Sequence, residues 1–157
     1  MCKYEHYGNC DPETKDQEYC IFHKPDKNED EAREFYRKFL ERFKPQKRKE
    51  LVIDDLDVKE VEGLIFEDDV DCRGYVFPEV PDDVDFSFKC ATFKGRAVFK
   101  EVTFEGDAVF EGAVFGRAAM FSEATFKGDA VFEGAVFEGI AVFNKAVFKG
   151  DAVFEYA

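Results

Sequence analysis

The strongest constraint on this chain is a run of phenylalanines in its second half: Phe88, Phe93, Phe99, Phe104, Phe110, Phe115, Phe121, Phe126, Phe132, Phe137, Phe143, Phe148 and Phe154. Steps of five and six residues alternate, so the period is eleven. Two places before nearly every Phe stands an alanine, from Ala91 and Ala97 through to Ala152, with Val102 an enlarged member and Phe86 an exception. Alternate side chains of an extended segment share one face. Each Ala-x-Phe triplet therefore reads as a short strand with a small and a large residue turned inward. An eleven-residue period also suits a right-handed coiled coil. Against that, Gly95, Gly106, Gly112, Gly128, Gly134, Gly139 and Gly150 would each cost about 1 kcal/mol inside a helix. Strand and corner, repeated at fixed period, make a solenoid.

The repeat begins before Phe88. Phe66 and Phe77 stand twenty-two and eleven residues ahead of it, with Leu64 and Tyr75 where the alanine would be. The intermediate positions fall on Asp71 and Asp82, so half the pattern is missing there, and Pro78 and Pro81 suggest a bulge or loop. Terminal repeats of solenoids are commonly atypical because they close an open end. The chain thus divides into a Cys/His-rich segment at 1–24, an amphipathic helix with a basic linker at 25–50, an acidic degenerate coil or cap at 51–85, and the regular array at 86–157.

The net charge of −13 is unevenly placed: residues 1–50 are neutral, 51–85 carry −11 and 86–157 carry −2. Acids such as Asp54, Asp55, Asp57, Asp68, Asp69 and Asp71 could hold a divalent cation or a basic partner. No twelve-residue calcium loop is present, and solvation with protection of strand edges is the plainer reading. No apolar run approaches a membrane span and the N-terminus has no apolar leader, which places the protein in the cytoplasm.

Three of the five cysteines and both histidines lie in the first 23 residues. Three thiols and an imidazole are a complete tetrahedral zinc set, and Cys20-Ile21-Phe22-His23 has the close spacing that lets two ligands share a turn. Cys2, Cys10, Cys20 and His23 are the expected ligands, with His6 as a substitute; reduced core thiols with solvent-facing histidines are the alternative. Zinc would be structural, since four protein ligands leave no open position. The helix that follows has Asn28 and Glu31 spaced as a capping box. Ala32, Phe35, Tyr36, Phe39, Leu40 and Phe43 form its apolar stripe, with Lys38 among the polar positions opposite. Pro45 ends it, and Lys44, Lys47, Arg48 and Lys49 read as a solvated basic linker. Cys72 and Cys90 are expected in or near the core.

The run Ala91-Thr92-Phe93-Lys94-Gly95-Arg96-Ala97-Val98-Phe99, repeated through Ala152-Val153-Phe154, resembles the pentapeptide-repeat family over roughly residues 64–157. The resemblance implies a right-handed, four-sided parallel β-helix with one unit per side. An extra residue in every second unit, such as Arg96, Asp107 or Asp129, departs from the family pattern and raises the coil from twenty residues to 22. A flat eleven-residue coil would have too narrow an interior for two rings per layer. The resemblance also raises mimicry of DNA toward a type II topoisomerase as one possible activity, which the −2 charge of the array disfavours. A nucleic-acid-binding zinc module is a further alternative, disfavoured by the neutrality of residues 1–50. With Ser87 and Ser122 the only serines and no His after His23, a non-enzymatic scaffold for an unidentified protein partner is the favoured reading. The last coil ends without charged or helical cover, so a homodimer through it, or a longer natural chain, is expected.

Overall fold

Four stacks of two-residue strands build the body of the protein. The structure is a computed structural model that describes residues 1–157 apart from the side chain of Asp54. Strand Ala119–Met120 pairs in parallel with Ala97–Val98 on one side and Ala141–Val142 on the other. Thr125–Phe126 pairs in the same way with Thr103–Phe104 and Val147–Phe148. Each step is 22 residues, and the stacks form four separate sheets. The coil is therefore 22 residues long with four sides.

The inward residues follow the expected register. Phe99, Phe110, Phe115, Phe121, Phe126 and Phe132 are completely buried, as are Ala91, Ala97, Ala113, Ala119, Ala124 and Ala130. Rings stack like on like: Phe93, Phe115 and Phe137 lie 5.0 and 4.9 Å apart, and Phe88, Phe110, Phe132 and Phe154 lie 4.9, 5.1 and 4.9 Å apart. These separations are close to the spacing of paired strands, so the backbone ladder sets the ring ladder. Within the coils rings also meet edge to face, as Phe99 and Phe110 do at 5.7 Å and 79°.

Two kinds of corner alternate. Within the five-residue steps a residue with left-handed φ turns the chain: Gly112 and Gly134, but also Glu101, Glu123 and Lys145, at 58° to 66°. At the six-residue corners glycine answers a different need. A Cβ at Gly128 would lie 2.8 Å from the carbonyl carbon of Gly106 in the coil beneath, a distance that real Cβ atoms do not tolerate.

The first coil corrects two expectations. Ile65 and Phe66 pair with Thr92 and Phe93, a step of 27, and Val76 and Phe77 pair with Thr103 and Phe104 at the same step. The inward position between Phe66 and Phe77 belongs to Cys72, which is completely buried and donates its N–H to Val98 O at 2.8 Å. The ladder is thus continuous where counting on Asp71 left a gap. The even spacing from Phe77 to Phe88 conceals an insertion of five residues, because Phe88 stacks under Phe110 and not above Phe66.

The amphipathic helix α1 (Glu29–Phe43) supplies the floor. Its capping box forms as expected, with Asn28 Oδ1 accepting from Glu31 N–H at 2.9 Å and Glu31 Oε1 accepting from Asn28 N–H at 3.1 Å. Phe35 and Phe39 meet Phe77 at 5.1 and 5.5 Å, and Phe39 meets Phe66 and Phe88 at 6.2 and 6.0 Å. The apolar stripe is therefore the lower lid of the ring column. Lys38 departs from the polar-face reading: it is buried, with Nζ 2.9 Å from Asp11 Oδ2 and 2.7 Å from Glu13 Oε2.

Residues 46–66 form an antiparallel hairpin and not a solvated linker leading into a coil. Strand β1 (Gln46–Asp54) pairs with β2 (Asp57–Phe66) from Gln46 opposite Ile65 to Asp54 opposite Asp57. Only the last two residues of β2 enter the solenoid wall. No helix among the described residues is long and apolar enough to cross a membrane.

Candidate metal centre

Residues 1–24 have little regular structure of their own, one short 3-10 turn at Glu5–Tyr7 among turns and bends. They are held by a cluster and by the coil they rest on. The ligand atoms of Cys2, Cys10, Cys20 and His23 all lie within 4.8 Å of one another. His23 Nδ1 is 3.6 Å from Cys2 Sγ, 3.7 Å from Cys10 Sγ and 3.0 Å from Cys20 Sγ. Ligands about 2.0–2.3 Å from a common centre in a tetrahedron are separated by about 3.5 Å. The donor set therefore has the size of a tetrahedral site. His6 stands outside it, exposed, with its ring 4.3 Å from that of Tyr7. The substitute role expected of His6 is not supported by this placement.

The state of the His23 imidazole favours ligation. His23 Nε2 lies 3.1 Å from the carbonyl oxygen of Arg73, which fixes the proton on Nε2 and leaves the Nδ1 lone pair facing the thiols. Burial holds this imidazole neutral, with its pKa lowered to about 4. Burial tends to raise the Cys2 thiol, but hydrogen bonds from the backbone N–H groups of Cys20 and Tyr4 together with those from the Cys10 and Cys20 thiols outweigh it and lower its pKa, the Cys20 N–H lying 3.3 Å from the sulfur. Burial pushes the Cys10 and Cys20 thiols up, and neighbouring thiols add to both shifts. A bound cation would relieve that repulsion.

The cluster is tied to the solenoid by residues that sequence reasoning did not single out. Asn9 is buried and donates from Nδ2 to Arg73 O at 3.1 Å, while its own carbonyl accepts from Tyr75 OH at 2.8 Å. Phe22 stacks on Tyr75 at 4.6 Å and accepts at its carbonyl from Val76 N–H at 2.8 Å. Arg73 grips Asp71 through two nitrogens and donates to Tyr7 O at 2.9 Å. Tyr75 occupies the position that alanine holds in later coils, so its size was the one available signal that something packs against the first coil.

Residues 88–136 match the family described as pentapeptide repeats, in 9 copies. This stretch is a pentapeptide-repeat array. No curated protein and no solved structure matches the chain. The paired strands extend the solenoid beyond the matched residues at both ends, from Ile65 to Val153.

Proposed function

We propose that the protein is a non-enzymatic interaction scaffold whose N-terminal knuckle holds a structural zinc ion through Cys2, Cys10, Cys20 and His23. The observation that carries the scaffold reading is the outward residue of each short strand. Val98, Met120 and Val142 align on one side, Val109, Val131 and Val153 on another, Thr103, Thr125 and Val147 on a third, and Thr92, Val114 and Val136 on the fourth. Each side thus offers a smooth apolar or threonine stripe between charged corners such as Lys94, Arg96, Glu105 and Asp107. Such stripes suit the dry centre of a protein interface with a polar rim. A photo-crosslinking residue at Met120, placed in the source cell, should give a discrete protein adduct; no specific adduct from any of the four stripes would remove this reading.

Zinc is favoured by the sulfur-rich, tetrahedral donor set. Its role would be to lock residues 1–24 against Arg73 and Tyr75, because His23 is at once ligand and hydrogen-bond donor to the first coil. Protein purified without added metal should contain one zinc per chain by elemental analysis, and Cys20→Ser should lose it. Metal-free native protein, or full retention in Cys20→Ser, would rule out this assignment.

A further inference from the structure

The hairpin exposes apolar side chains that its own fold does not cover. Leu51, Ile53 and Val58 are 72%, 79% and 64% exposed, and Leu56 at the tip is fully exposed. Ile53 lies opposite Val58, and Leu51 is two places along, so these three share one side of the ribbon. The tip is also strained: Asp55 and Leu56 have φ of 44° and 76°, the left-handed pair of a type I′ turn, where asparagine and glycine are usual. An apolar side chain fully in water on a left-handed backbone is costly twice over.

The backbone edge is open as well. β1 is the outermost strand of its sheet. In a two-residue I′ hairpin the pair flanking the turn, here Asp54 and Asp57, exchanges hydrogen bonds, and bonded positions then recur every second residue. Lys47, Lys49, Leu51 and Ile53 accordingly present their N–H and C=O groups away from β2. Lysines blunt the first half of that edge, as exposed edges require. Leu51-Val52-Ile53 has no such protection.

We infer that β1 pairs antiparallel with β1 of a second copy of this chain, about a twofold axis at Leu51. The strand's charge order argues for a copy of itself. Within β1 the twofold register about Leu51 sets position 48 of each copy opposite position 54 of the other, cation position against acid position on both sides of the axis. Leu51 then faces Leu51, and Ile53 faces Lys49, whose stem can lie along it. Centring the axis on Lys49 instead would oppose Lys49 to itself. Two marginal ribbons become one four-stranded sheet, continuous with a wall of each solenoid, in the isologous form that closed dimers take. A lipid surface is the poorer occupant, because Asp55 and Asp57 flank Leu56 and would be drawn into hydrocarbon with it.

Sedimentation equilibrium of the full chain should show a dimer. Leu51→Lys, which sets like charges against each other at the axis, should weaken it at least tenfold with an unchanged far-ultraviolet spectrum. Leu51→Cys should cross-link to itself on mild oxidation, giving a covalent dimer that neither the native chain nor Glu62→Cys, on β2, produces. A monomeric native chain, a dimer indifferent to Leu51→Lys, absence of the Leu51→Cys cross-link, or a dimer dispersed by Phe154→Lys on the last coil would each overturn the inference.

Discussion

Phe126 shows what one residue contributes to this fold. It is completely buried and stacks 5.1 Å from Phe104 and 4.8 Å from Phe148, so truncation opens a ring-sized hole between two fixed neighbours. Phe126→Ala should cost roughly 3–5 kcal/mol. Phe154 ends the neighbouring stack of Phe88, Phe110 and Phe132, is 40% exposed and has a stacked ring on one side only, and Phe154→Ala should cost about 1 kcal/mol. Urea unfolding of the two variants measures the difference; equal losses would contradict the ring column. At this scale the sequence was most legible, because burial at every second position of a strand leaves a periodic trace. Cys72 escaped that reading since a small thiol does not announce a Phe position. Lys38 escaped it because its burial depends on Asp11 and Glu13, twenty-seven and twenty-five residues away.

Among the elements, the six-residue corner carries a device that repeats from coil to coil. Asp107 Oδ1 accepts the N–H of Asp129 at 2.8 Å, Asp129 Oδ1 accepts the N–H of Asp151 at 3.0 Å, and Asp69 accepts the N–H of Arg96 at 2.7 Å. Each carboxylate thus satisfies a corner amide of the next coil. Arg96 also bonds the Asp69 carboxylate through its guanidinium, 3.0 Å away, whereas Asp107, Asp129 and Asp151 form a column of like charges at about the strand spacing. Asp129→Asn keeps the accepting oxygen and removes a central charge. It should therefore stabilise the protein by about 0.5 kcal/mol at low salt, and the gain should shrink toward zero near 1 M salt. Loss of stability at low salt would show that charge on this oxygen matters more than repulsion along the column. The hairpin is the element least legible beforehand. Its strands lack a clean alternation, with Leu51-Val52-Ile53 apolar throughout after the polar run Lys47-Arg48-Lys49-Glu50, and Asp55-Leu56 lacks the glycine that would have marked a hairpin. Helix α1 was legible because its cap and stripe are local, while the surface it covers could be found only from the fold.

The molecule as a whole is a column with unlike ends. Below the first coil, α1 and the Cys/His cluster cover the rings and tie Phe22, Asn9 and His23 to residues 73–76. At the last coil no such cover is present among the described residues, and Phe143 and Phe148 are only half buried. In a solenoid each repeat is stabilised mainly by its neighbours, so local opening should follow this asymmetry. Amide exchange should be slowest in the coil from Phe110 to Phe132, which has a full coil on either side, and fast from Ala141 onward. Withdrawing metal with a chelator should speed exchange at Cys72, Gly74 and Val76, whose amides bond to Val98, Lys100 and Phe22, and leave Thr125 and Ala130 unchanged. Uniform acceleration along the column would mean that the cluster stabilises the whole solenoid as one cooperative unit. No change at Val76 would mean that the rings of α1, and not the cluster, hold the first coil.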